Sequence, residues 1–208
     1  MKQVAKLKQL ENLSFFDLET LGQITDLKGN TLYKNVSRSK EQGIIIQLKR
    51  GIYTTSTFTS KQNMQSYLEF VSNKLRYPSY LSLEYVLSKY QVLSESVYIY
   101  TAITKKSTRT YSNSFGVFSY RNISDFLFTG YNIVKENNFE IAIATKSKAL
   151  FDYLYLKFYR KSEINKAMVD ELRLNLDEFT KQERLEFLGF CKSTKIDKFS
   201  ALYKLIFN

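Results

Sequence analysis

The stretch EQGIIIQLKRGIYTT, residues 41–55, leaves the backbone few choices. Three consecutive isoleucines running into Gln47 and Leu48 favour a strand, because β-branched side chains are stiff at χ1 and suit a pleated surface. Gly43 ahead of them marks a helix end, and KRG between two apolar runs reads as a turn. The expectation is a hairpin of Ile44 to Leu48 and Ile52 to Thr55 with Lys49 and Arg50 at its tip.

What precedes the hairpin is helical in spacing. Val4, Leu7 and Leu10 recur every three residues, which predicts a short helix closed by Asn12 and Leu13. SFFDLETLGQITDL supplies Ser14 or Asp17 as N-cap and a second helix carrying Leu18, Leu21 and Ile24. KGNTLYKNVSRSKEQG supplies a third, with Asn30 as its cap and Leu32 and Val36 on its apolar face; Ser39 stands where that spacing calls for an apolar residue. Three short helices and a hairpin predict a winged helix-turn-helix at residues 1–58. The third helix then presents Thr31, Lys34, Asn35, Arg38 and Gln42 away from its apolar face. Arg, Asn and Gln can pair with base edges in a major groove and Lys with phosphates, so these five, with Lys49 and Arg50, form the candidate DNA-binding set.

Residues 59–208 read as a second domain of mixed α/β character that ends in helices, making the whole chain α+β. TSTFTSK is a polar bridge, and Ser60 is placed to cap a helix bearing Met64, Tyr67, Leu68, Val71 and Leu75. The one proline, Pro78, interrupts the pattern before a helix that starts near Ser82 and buries Leu83, Val86, Leu87 and Tyr90. From Val97 the period changes. VYIYTAIT, FGVFSYRNI and FEIAIAT are β-branched and aromatic and alternate in part, as strands do. TKSKALFDYLYLKFYR returns to helix, capped by Thr145, with Leu150, Leu154 and Phe158 four apart. In the tail, Thr180 and Glu183 form a T-x-x-E capping box before Leu185, Phe187 and Leu188, and KFSALYKLIFN is amphipathic.

Charge points to the partner. Lys and Arg total 31 against 20 Asp and Glu, and the excess is +4 in residues 1–55, +6 in 56–160 and +1 in 161–208. A polyanionic partner, double-stranded DNA, suits the first three-quarters of the chain. The chain has no histidine, which removes the usual zinc and iron ligand sets and Ser-His-Asp catalysis. The single cysteine, Cys191, cannot form an internal disulfide and reads as a buried thiol in a reducing cytoplasm. No run approaches the roughly 18 to 20 apolar residues a membrane span needs, and the first residues lack the apolar core of a signal peptide.

Candidate chemistry is sparse. Ser37 and Lys40 fit S-x-x-K but lie on the third helix. Asp17 and Glu19 have the D-x-E spacing by which nucleotidyltransferases hold magnesium, yet no Gly-Ser or Gly-Gly turn accompanies them, and helix capping explains Asp17 better. The expectation is a protein with no catalytic residue, metal or cofactor.

The segments GIIIQLKRGIYTT, YPSYLSLEYVLSKYQVL, FGVFSYRNI and IAIATKSKALFDYLYLKF, in this order, resemble the AbiEi antitoxins of type IV toxin-antitoxin systems, which belong to abortive-infection phage defence. The likeness spans about residues 15–160. Arg50, Gly51 and Tyr53 match the family's wing, Pro78, Ser79, Tyr80, Ser82, Leu83 and Leu87 its helical core motif, and Lys148, Ala149, Leu150 and Asp152 the start of a later helix. The resemblance implies a cytoplasmic, non-enzymatic protein that represses its own promoter through the winged helix. Its second domain would oppose a nucleotidyltransferase toxin without a stable complex. Lys148 and Asp152 are then candidates for antitoxin function, on a surface that performs that role; the bare spacing gives an i, i+4 ion pair supporting a helix. The chain departs from the family pattern at Lys146 and Ser147, where a proline and a glutamate are usual, and at Gln91, where a glycine is. The rival reading is a ligand-responsive winged-helix regulator with no toxin partner.

Overall fold

A computed structural model describes residues 8–207 and divides into two compact units. One takes in the chain up to Leu68 together with Tyr111–Gly116, and the other Glu69–Thr110 and the chain from Val117 onward. The architecture is mixed α+β, with two sheets and a helical C-terminal end.

In the first unit residues 8–10 are helical; Val4 and Leu7 of the expected first helix lie outside the described residues. A two-residue strand β1 (Phe16–Asp17) leads into α1 (Leu18–Thr25), where Asp17 is the N-cap and accepts from the Thr20 N–H at 2.8 Å. That hydrogen bond holds the Asp17 carboxyl below its ordinary pKa. Helix α2 (Gly29–Glu41) follows. Its cap is Lys28, which supplies no side-chain hydrogen bond, and the expected cap Asn30 lies inside the helix. Gly29 opens the helix instead, at φ +51, a conformation glycine adopts without steric cost.

Strands β2 (Ile45–Lys49) and β3 (Ile52–Thr55) then form the hairpin, so the loop is Arg50-Gly51 and Lys49 belongs to the strand. The three strands pair antiparallel in the order β1-β3-β2, with Phe16 opposite Tyr53. The two rings stack within a core of Leu10, Leu21, Leu32, Val36 and Ile45. TSTFTSK is not merely a bridge: Ser56–Thr59 forms a short helix, α3, with Thr55 accepting from the Phe58 N–H. Helix α4 (Met64–Leu75) is started by Asn63, which accepts from the Ser66 N–H, and not by Ser60. Met64 is exposed while Ser66, Glu69, Ser72 and Asn73 are buried, so α4 is covered on more faces than its apolar stripe implied.

The second sheet is six-stranded and mixed, in the order β6-β7-β5-β4-β9-β8; it belongs to the second unit except for Tyr111–Asn113 of β6 and Gly116 of β7. The strands are β4 (Ser79–Leu81), β5 (Tyr100–Thr104), β6 (Arg109–Asn113), β7 (Gly116–Asn122), β8 (Tyr131–Glu136) and β9 (Phe139–Ala144). β4 runs antiparallel to β5 and parallel to β9, and β5 parallel to β7. The resemblance placed Pro78, Ser79 and Tyr80 in a helical motif; Ser79 and Tyr80 are instead in β4. Asn73 completes a pairing there: its amide donates to the Ala142 carbonyl and accepts the Ala142 N–H, as a strand residue would.

Helix α5 (Leu83–Lys89) buries Leu83, Val86 and Leu87, but Tyr90 lies past its end and is exposed. Helix α6 (Lys146–Phe158) has the expected cap, Thr145, and buries Leu150, Leu154 and Phe158. α7 (Lys166–Asp170), α8 (Lys181–Ser193) and α9 (Asp197–Phe207) complete the chain. α8 carries the Thr180–Glu183 capping box with both hydrogen bonds made. Its inward residues are Phe187 and Cys191; Leu185 is exposed and Leu188 half-buried. Among the described residues no helix is long and apolar enough to cross a membrane.

Candidate nucleic-acid face and buried charge cluster

The first unit's candidate residues sit on α2 and the hairpin. Leu32, Val36 and Ser39 turn inward, and the opposite face presents Thr31, Lys34 and Arg38 to solvent. Gln42 is exposed but has left the helix, its N–H donating to the Arg38 carbonyl while the Gly43 N–H donates to that of Lys40. Asn35 differs from the expectation. Three residues after Leu32 and one before Val36, it flanks the apolar stripe, is half-buried, and its Oδ1 is buried without a hydrogen-bond partner among the described residues. Tyr33, not singled out by residue type, is 59% exposed on the outward side. The S-x-x-K pair is split: Ser37 donates to Glu41 and Lys40 to Gln47 of β2, which ties the helix to the hairpin.

The hairpin tip is also divided. Arg50 is exposed in the two-residue loop, whereas Lys49 is half-buried with its ammonium 5.6 Å from the centre of the Tyr111 ring. Of these two candidate residues Arg50 is therefore the more accessible, and Lys49 carries its charge against an aromatic face.

In the second unit Lys148 and Asp152 do not form a surface. Both side chains are fully buried, and Lys148 Nζ lies 2.5 Å from Asp152 Oδ1. The other carboxylate oxygen accepts from Ser82 Oγ at 2.7 Å and from the Tyr80 hydroxyl at 3.0 Å. Thr145 sets this geometry by capping α6 at the Lys148 N–H, and the single turn between Lys148 and Asp152 puts both on one face. Three donors thus converge on one carboxylate. The Lys148 ammonium also lies 4.8 Å from the Phe151 ring centre and 5.3 Å from that of Phe190, a cation–π enclosure.

Burial pushes the Asp152 carboxyl up and the Lys148 ammonium down from their ordinary values; their mutual attraction opposes both shifts, and the Ser82 and Tyr80 hydrogen bonds oppose that of Asp152 alone. Tyr80 is pushed up by burial and by the neighbouring carboxylate, so it stays a hydrogen-bond donor at any ordinary pH. Gly130, at φ +74, closes the cluster: a Cβ there would fall 2.4 Å from Phe190 Cζ and 3.0 Å from Lys148 Cδ. A cluster closed to water and saturated with donors can fix the approach of α6 to β4. It offers no open position for a substrate or an ion.

Ser82 and Tyr80 had no role assigned by residue type, because a hydroxyl that satisfies a carboxylate 70 residues away leaves no local pattern. Glu69 was missed for the same reason; it is fully buried, with its Oε1 accepting from Tyr85 and Lys89. Cys191 is buried as expected, and burial pushes its thiol up to about 12. In comparison with known proteins, no family model matches the chain and no curated protein matches it.

Proposed function

We propose that this protein is a non-enzymatic cytoplasmic regulator whose first unit is a winged helix-turn-helix that binds double-stranded promoter DNA, and whose second unit serves as the antitoxin against a nucleotidyltransferase toxin. The observation that carries the DNA reading is the interleaving of α1 and α2 between β1 and the hairpin, with β1 returning to pair beside β3. A winged helix needs that order, so that its last helix is backed by a small sheet and faces outward. The exposed Thr31, Lys34 and Arg38 on α2 and Arg50 in the loop supply the base-reading and phosphate-binding chemistry. The antitoxin half of the reading rests on the AbiEi-like segments.

Fluorescence anisotropy of the purified protein on its own upstream DNA and on random DNA, across a salt series, tests the DNA reading. Tight binding to the upstream fragment that falls steeply with salt supports it. Equal, weak binding to both would leave the charge of +11 as surface charge alone. Co-expression with a neighbouring nucleotidyltransferase gene tests the second half, because only an antitoxin restores growth.

A further inference from the structure

The second unit contains a cleft of about 580 Å³, within the range of small-molecule sites, that shares no lining residue with the buried charge cluster. One wall is β7. Its side chains alternate, so that Phe118 and Tyr120 enter the core while Val117, Ser119 and Arg121 face the cleft. The facing wall is α6, where Tyr153, Leu156 and Lys157 line the cleft at i, i+3 and i+4, beside the inward-turned Asp152. α5 supplies Leu83 and Glu84 from its first turn.

The chemistry of this lining is specific in kind. Val117, Leu156 and Tyr153 offer an apolar and aromatic surface. Two cations answer one carboxylate: Arg121 is exposed and makes no ion pair among the described residues, and Lys157 is exposed with its ammonium 5.5 Å from the Tyr153 ring centre. Leu83 stands at φ +61, a left-handed conformation that costs a branched residue energy and recurs where a fold is shaped around a ligand. The charge inside the cleft therefore favours an anion, and the walls favour a flat hydrophobic body over a hydrated inorganic ion.

We propose that this cleft binds a small organic anion with a planar apolar body, its charge met by Arg121 and Lys157, its body held against Val117, Tyr153 and Leu156, and Glu84 accepting a hydrogen bond from it. The site stands whether or not the first unit binds DNA.

The test uses two dyes on the full-length protein: 8-anilinonaphthalene-1-sulfonate, and N-phenyl-1-naphthylamine, which has the same rings without the sulfonate. The wild-type protein should bind one sulfonated dye per chain, saturably. Arg121→Ala with Lys157→Ala should weaken the sulfonated dye by about tenfold or more, the loss expected for charged hydrogen bonds, and leave the neutral dye unchanged. Ser119→Trp should fill the cleft and remove both; if that variant does not give a wild-type melting transition, Thr110→Trp on the edge strand replaces it. A folded cleft-filling variant that still binds the dye as well as wild type would overturn the site. An equal effect of the double substitution on both dyes, or on neither, would overturn its selectivity for anions.

Discussion

The Lys148 ammonium lies 2.5 Å from Asp152 Oδ1, one turn along the same helix, and neither side chain touches solvent. A pair in that position differs from a helix-surface ion pair in what its loss leaves behind. Removing either partner strands a charge away from water. Lys148→Ala or Asp152→Ala should each destabilise the protein by about 3 to 5 kcal/mol in urea unfolding. Replacing both, as Lys148→Met with Asp152→Leu, should recover much of that loss, and its incomplete part should come from the Ser82 and Tyr80 hydroxyls left without their acceptor. A double variant no more stable than the singles would mean that the pair contributes through packing alone.

Gly130 makes a second, steric prediction. Its left-handed backbone and the 2.4 Å approach to Phe190 leave no room for a methyl group. Gly130→Ala should lower the thermal midpoint, with a cost of about 1 to 3 kcal/mol from overpacking. Combining it with Phe190→Leu should restore part of the loss, which a melting curve of the pair reads directly.

Alkali should unfold the protein earlier than its composition suggests. Cys191 rises from 9.0 to about 12 on folding because burial disfavours the thiolate. A group raised in the folded state contributes stability that is complete below its unfolded value and lost as pH climbs toward the folded one. Stability should therefore decline between about pH 9 and pH 12. In Cys191→Ala the decline should be shallower, measured as urea midpoints at pH 8 and pH 10.5. The native thiol should also resist a disulfide reagent at pH 8 until the protein is unfolded.

On DNA, α2 predicts a difference between two neighbours. Arg38 faces solvent, while Asn35 flanks the buried stripe. Arg38→Ala should reduce the preference for the upstream sequence by about 1 to 3 kcal/mol, whereas Asn35→Ala should change it little. Lys34→Ala should weaken specific and random DNA alike and flatten the salt dependence. Equal loss on both DNAs for Arg38→Ala would remove the base-reading role.

Where the sequence spoke clearly, a local rule was at work. The hairpin, the Asp17, Thr145 and Thr180 caps and the apolar spacing of α6 each depend on residues within one or two turns, and each is present. The omissions have the opposite cause. β8 is exposed except at its two half-buried ends and β6 is mostly polar, so neither has a buried face to impose alternation, and β4 is only three residues long with all three buried. The exposed Leu185 and the buried Ser39 broke the apolar pattern in opposite senses, since tertiary packing decides which side of a helix is covered. In the candidate sites, residue type located α2 and the Lys148–Asp152 pair, but the inward tilt of Asn35 and the donors from Tyr80 and Ser82 depend on contacts that spacing does not encode.

The tail is fastened at the start of α6, by Thr145, Lys146 and Ser147. Lys146 pairs with Glu183 at 3.0 Å and bonds the Glu178 carbonyl, Ser147 donates to the Glu183 carbonyl, and Thr145 donates to Glu186. The first turns of α6 and α8 are thus laced to each other, the capping residue of one held by the first turns of the other. Neither helix start can fray alone: in a hydrogen-exchange experiment their protected amides would open together, as one cooperative block. A truncation before Thr180 would then loosen the turn that holds Lys148 as well as strip the Phe190 ring from its ammonium.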